Sequence, residues 1–292
     1  MKNVKSGHKQ PIVCMDAGHY GKYNQSPVVK SYYESEMNWK LHLLQKAEME
    51  KYGIKVITTR ADKNKDLGLE ARGKAAKDAD LFLSDHSNAA DEESTDYVVA
   101  MYQVDDNCGE MDEQSKAVAG MLAKTVGNVM GLPYQTWSTK SSSDRDGNGY
   151  KDDYYGVLRG AHTVHTPGVI IEHGFHTNTA TAKWLLVEEN LKKLAEAEAK
   201  TIAEWFDVKK TEKAVTTFTL TLQQLSEGDK GDQVKALQQL LMANGIKLPK
   251  YGADSDFGAE TKAGVIEYQR KMNLSADGIA GPNTWKKLLG IT

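Results

Sequence analysis

Between Pro11 and Asp207 short apolar runs alternate with stretches of helical periodicity, and this alternation restricts the fold more than any other feature. The runs "PIVCM", "IKVITT", "DLFLS" and "DYVVAMYQ" read as strands. Met37, Leu41, Leu44 and Ala47 step at helical spacing through a helix near 37–52, with Gly53 placed as its C-cap. Further helices are expected near 69–78 and 112–130, then a strand over 168–172 and a long helix carrying Leu191, Leu194, Ile202 and Trp205. Such a pattern predicts an α/β fold, a twisted, mostly parallel sheet flanked by helices.

The pattern then changes. "VKKTEKAVTTFTLT", starting at Val208, has no helical period and is rich in Lys and Thr, as expected of a linker. Beyond it, "VKALQQLL" from Val234 and "VIEYQRKM" from Val265 echo one another as short amphipathic helices. The turns "GDKGD", "FGAET" and "DGIAGPNTW" separate them, and Pro282 suits the start of a last helix. These boundaries give a large domain over 1–207, a linker over 208–219 and a small all-α three-helix domain over 220–292.

Composition removes several function classes. A formal charge of -3 over 292 residues leaves no basic footprint, so nucleic acid is not an expected partner. Two cysteines, Cys14 and Cys108, are too few for a disulfide framework. The start "MKNVKSGHKQ" lacks an apolar core and no run approaches eighteen apolar residues, so neither a signal peptide nor membrane insertion is expected. Synthesis in the cytoplasm follows from that reading, and the oligomeric state stays open.

Chemistry gathers in four places: "MDAGHYG" with His19, "YYESEMN" with Glu34, "LSDHSNA" with His86 and "VIIEHGFHTN" with Glu172. His19, His86 and Glu172 fall at or just past the carboxyl ends of expected strands, where open α/β sheets collect ligands. Two imidazoles and a carboxylate with an open fourth position suit catalytic zinc. Strand alternation puts Glu172 and His173 on opposite faces, so His173 is read as packing and His176 as a hydrogen-bond donor near the substrate.

The order and spacing of "VCMDAGHYG", a Glu four residues before Asn38, "SDHSNA", "YYGVLRG" and "VIIEHGF" resemble the amidase-3 family of zinc-dependent N-acetylmuramoyl-L-alanine amidases over roughly residues 11–206. The resemblance implies that His19, Glu34 and His86 hold Zn2+ and that Glu172 is the catalytic carboxylate. Spacing to Asn38 selects Glu34 over its neighbour Glu36. The sequence departs from the family at Ala17, where Pro is usual. "LSEGDKGDQVKALQQLL" and the stretch from "DSDFGAET" to "GPNTWKKLL" resemble the type-1 peptidoglycan-binding family. Together they imply a peptidoglycan hydrolase cleaving the bond between N-acetylmuramic acid and L-alanine, with bacterial peptidoglycan as partner. The alternatives are a zinc peptidase cutting within the stem peptide and a non-catalytic wall-binding protein.

Two further features complete the expectations. "DRDGNGYKDD" sets Asp144, Asp146, Asn148 and Asp152 at calcium-loop positions, but Tyr155 stands where the closing Glu belongs, which favours a polar loop over a Ca2+ site. Arg159 is a candidate for positioning substrate. A wall hydrolase without an export signal resembles a phage endolysin that reaches the wall after release, with a bacterial autolysin as the other setting.

Overall fold

The computed structural model describes residues 1–104, 109–145, 147, 149–210 and 221–290. The chain divides into two compact units, Met1–Lys213 and Ala214–Thr292. Most of the expected linker, 211–219, lies outside the described residues, as do Cys108, Asp146 and Asn148.

The first unit is built on six strands: β1 (Ile12–Ala17), β2 (Lys55–Thr58), β3 (Leu81–Asn88), β4 (Val98–Tyr102), β5 (Tyr134–Trp137) and β6 (Gly168–Phe175). They form one sheet in the order β2-β1-β3-β6-β4-β5, parallel throughout except where β4 meets β6. Its helices are α1 (Glu34–Glu50), α2 (Leu69–Lys74), α3 (Gly109–Met130), α4 (Gly156–His162), α5 (Thr179–Leu185) and α6 (Glu188–Phe206).

Side chains of the central strands feed two cores. Val13, Met15, Leu81, Leu83, Val169 and Ile171 pack with Leu41 of α1, Leu122 of α3 and Ile202 of α6. Cys14, Phe82 and Ile170 pack on the other face with Val157, Leu158 and Ala161 of α4. Coverage of both faces explains why these strands read as unbroken apolar runs.

Four elements differ from the sequence expectation. β5 has four exposed residues, so it shows no apolar alternation to detect. α4 and α5 are seven residues each, too short for a periodic signal; α5 is held by its N-cap, the Asn178 side chain accepting from the amides of Ala180 and Thr181. β6 runs on to Phe175 instead of ending near Glu172, so His173 belongs to the strand.

The second unit packs α7 (Asp232–Ala243), α8 (Ala259–Lys271) and α9 (Pro282–Leu288) around Val234, Leu237, Leu241, Phe257, Val265, Tyr268 and Trp285. Its internal echo has a structural cause. Gln238 of α7 donates to Asp254 Oδ1, the Asp256 carbonyl and Thr261 Oγ1, and accepts from the Ser255 amide. Gln269 of α8 repeats this with Asp277 Oδ1, the Ile279 carbonyl, Thr284 Oγ1 and the Gly278 amide. Each buried amide thus ties its helix to the following turn and to the first residues of the next helix. Replacing either by Leu removes the amide partner of a buried threonine hydroxyl, Thr261 or Thr284, and of the following turn, and the expected loss is about 2 kcal/mol from the second unit. Calorimetry of the full chain should show the second unit's transition lowered and the first unit's unchanged.

Candidate metal and catalytic centre

The site forms where β1, β3 and β6 end and α1 begins. Beyond β1 the chain turns through Gly18 to His19, whose φ of 61° is a left-handed value that a non-glycine residue holds only under constraint. Arg72 provides that constraint. It is buried, pairs with Asp16 Oδ1 at 3.3 Å, and donates to the carbonyls of Ala17 and His19 at 3.1 Å each. From the other side Asn38 Nδ2 donates to the Gly18 carbonyl at 3.2 Å. Glu34 is the first residue of α1, where the unpaired amides of a helix start favour a carboxylate.

The Glu34 carboxylate lies between two imidazoles, 3.1 Å from His19 Nε2 and 2.8 Å from His86 Nδ1. The Ser87 amide and Asn24 Nδ2 also donate to it, at 3.1 and 2.7 Å. Burial works against the charge of Glu34, but hydrogen bonds to both imidazoles outweigh it and hold the carboxyl well below the usual range. Burial likewise disfavours charge on His86, yet Glu34 lifts that imidazole to about 9.

One donor atom from each of His19, Glu34 and His86 lies within 4.8 Å of the other two, so a single cation fits among them. The donor set suits a divalent ion of intermediate softness. The backbone is shaped to match, because a Cβ on Gly18 would stand 2.3 Å from His86 Cε1 and 2.6 Å from the Asp85 carbonyl. Glu36, the rival carboxylate, is only partly buried and stands outside this group.

Glu172 is the parallel-sheet partner of His86, so the two side chains lie side by side on one face. It is 9% exposed, and its Oε2 has no hydrogen-bond partner among the described residues. Burial raises its pKa to about 7; the charge of Glu34 adds to the rise, while the imidazoles of His86 and His173 oppose it. A carboxyl balanced there can take up and return a proton near neutrality.

The remaining candidates have other surroundings. His173 faces away from Glu172, with its ring nitrogens on the His86 carbonyl and on Glu198. His176 is 5% exposed, stacks on Tyr32, and donates from Nδ1 to the Ser87 carbonyl at 2.8 Å, which fixes it in the wall of the site. Arg159 is tied to Glu70 Oε1 at 3.0 Å and to the carbonyls of Asp153 and Tyr154, so its guanidinium clamps a loop where the sequence suggested a substrate contact. In the polar loop, both Asp144 oxygens accept from turn amides, of Gly147 and Gly149, and Asp152 is buried and accepts from the Arg145 amide. Arg72, Asn24 and Asp16 were not anticipated. The signal for Asp16 was present, since a carboxylate inside an apolar strand requires a partner.

An open α/β sheet with three possible metal donors grouped at its carboxyl edge and a separate buried carboxyl beside them has the layout that a metal-dependent hydrolase requires. Residues 13–204 match the N-acetylmuramoyl-L-alanine amidase family, and the chain belongs to it. Residues 230–288 match a peptidoglycan binding domain.

The catalytic domain of CwlV, an N-acetylmuramoyl-L-alanine amidase from Bacillus (Paenibacillus) polymyxa var. colistinus, is similar in structure, with a TM-score of 0.55 at 25% identity. That likeness covers 68% of this chain and 100% of the other. An N-acetylmuramoyl-L-alanine amidase from Clostridium difficile 630 shares the fold at 21% identity and a TM-score of 0.56, covering 68% of this chain and 98% of that one. In sequence the chain is 49% identical over 67 residues to the amidase CwlL of Bacillus licheniformis, 23% of this chain and 19% of that one. The matched segment thus spans under a fifth of the length of the two Bacillus licheniformis amidases it resembles in sequence.

A methyl group at Gly18 tests the shape of the site directly. Gly18→Ala should push His86 away from Glu34 and abolish stoichiometric binding of a divalent ion, as measured by equilibrium dialysis, in a protein that remains folded by circular dichroism.

Proposed function

We propose that this protein hydrolyses the amide bond joining N-acetylmuramic acid to L-alanine in bacterial peptidoglycan, with Zn2+ held by His19, Glu34 and His86 and with Glu172 as general base. The observation that carries this reading is the position of Glu172, beside His86 on the same sheet face yet outside the three-donor group. Membership of the amidase family supports the choice of bond, and two imidazole nitrogens with one carboxylate oxygen support the choice of metal.

When bound, zinc would acidify a water molecule and polarise the scissile carbonyl. Glu172 takes the proton from that water as its oxygen adds to the lactyl carbonyl carbon. The C–N bond then breaks, and Glu172 returns the proton to the departing alanine nitrogen, leaving an amine on the peptide and a carboxylic acid on the sugar that gives its remaining proton to solvent. Burial serves this role, since a fully solvated carboxylate, with a pKa of about 4, would be too weak a base and, once protonated, would lose its proton before returning it. The domain at 230–288 would hold the enzyme on its insoluble substrate and raise the local concentration of scissile bonds. Among the described residues no helix is long and apolar enough to cross a membrane.

Two substitutions separate binding from chemistry. His86→Ala should lose stoichiometric zinc, whereas Glu172→Ala should retain it and lose turnover by at least about a hundredfold. Mass spectrometry of digested peptidoglycan should show stem peptides with a free L-alanine amine, absent with Glu172→Ala or with chelator. Peptides cut internally would instead identify a peptidase.

The base form of Glu172 is the active one, so kcat/KM should fall as pH falls. The limb should inflect at or below about 7, because a nearby dication favours the carboxylate, and Glu172→Ala should remove the limb.

A further inference from the structure

Directly behind the site, on the opposite face of the sheet, lies a second polar cluster that the proposed mechanism does not use. Asp85, His173, Glu198 and Gln45 are all fully buried. Gln45 Nε2 donates to Asp85 Oδ1 at 3.1 Å and to Glu198 Oε2 at 3.0 Å. Glu198 Oε1 lies 3.1 Å from His173 Nε2, and His173 Nδ1 donates to the backbone carbonyl of His86 at 3.0 Å. The contact falls where the β3–β6 register shifts, between His86 and Asn88, and where Gly174 adopts a φ of 70°. The extra residue of β6 at this bulge brings the His173 ring over the His86 carbonyl.

The connectivity is specific. Each of three elements carries one site residue and one cluster residue: α1 has Glu34 and Gln45, β3 has His86 and Asp85, and β6 has Glu172 and His173. Glu198 of α6 closes the cluster from the packed helix layer. Apolar side chains of similar volume would stabilise this layer as well or better, since burying charged groups is costly even when they are paired. Such a cluster does supply a fixed geometry, because its hydrogen bonds tolerate little displacement where apolar contacts slide.

We infer that the Glu198–His173 pair, tied to α1 through Gln45 and to β3 through the His86 carbonyl, is a positioning device that sets His86 and Glu34 at metal-binding distance. The inference rests on the proposed zinc site. His173 and Glu198 touch neither metal nor substrate and act through His86 and the elements they join.

The test compares His173→Gln and Glu198→Gln with Ile202→Ala, a core change in the same helix layer that leaves the cluster intact. Zinc affinity is measured by competition with a chelating fluorophore, kcat and KM by release of stem peptides, and stability by thermal unfolding without metal. Both cluster variants should weaken zinc binding roughly 10- to 100-fold and lower kcat with KM unchanged. Ile202→Ala should lower the unfolding temperature and leave zinc affinity and kcat in place. If His173→Gln does not fold, the near-isosteric Glu198→Gln carries the test.

Wild-type zinc affinity in a folded cluster variant would overturn the inference, as would an equal loss in Ile202→Ala. One donor atom each of Asp85, His173 and Glu198 also lies within 4.8 Å of the others. A second equivalent of zinc in the wild type that disappears in His173→Gln would therefore replace positioning by a second metal site. A wild type that neither binds zinc nor releases peptides would overturn the proposed function itself; a fully active wild type with unaltered cluster variants would overturn the positioning role alone.

Discussion

The parallel register of β3 and β6 sets His86 beside Glu172, and the rest of the site is arranged around that pair. Parallel neighbours in register present their side chains on the same face at the same height, so a ligand candidate and a base candidate become adjacent without any loop having to bring them together. The ends of β1 and α1 then need only deliver His19 and Glu34 to that place. Because both faces of the sheet are packed by helices, the register cannot slip without turning a full set of apolar side chains the wrong way.

Burying this much charge is unfavourable, and the fold meets the cost by pairing. Asp16 accepts from Thr59, Arg72 and Ser84, and Arg72 divides its donors among Asp16, Asp66 and three backbone carbonyls. Glu34 receives four contacts. Glu172 stands apart, since one oxygen lacks a partner among the described residues and its pKa lies near neutrality where that of Glu34 is depressed. Two carboxyl groups of the same residue type are thus driven in opposite directions by their neighbours, one toward permanent charge and the other toward proton exchange.

The architecture was legible where elements are long and periodic. The central strands, α1, α3 and α6 announce themselves by apolar spacing, and the three helices of the second unit by turn residues. His19, His86 and Glu172 could be singled out because each follows or ends an apolar strand run, and Glu34 because it precedes a helical pattern. What escaped notice depends on long-range contact. Nothing adjacent to Arg72 in sequence indicates that it clamps a turn 53 residues earlier. Arg159 and His176 are chemically suited to substrate, and only tertiary packing shows that their polar groups are engaged by Glu70 and by Ser87. The alternation that separated His173 from Glu172 was legible, but its partner Glu198 lies 25 residues onward on α6.

The paired glutamines of the second unit have an evolutionary consequence. Gln238 meets the amide of Ser255 and Gln269 that of Gly278, at equivalent turns with φ of 70° and 77°. The two halves therefore solve one backbone problem with different residues: glycine adopts the left-handed turn freely, whereas serine does so at a cost of about 1 kcal/mol. A module made of two such halves contains its own comparison set, and drift in one half can be judged against what the other has kept. Residues outside this shared framework take no part in these bonds, so the surface between the two turns can vary without disturbing what holds each helix to its neighbour.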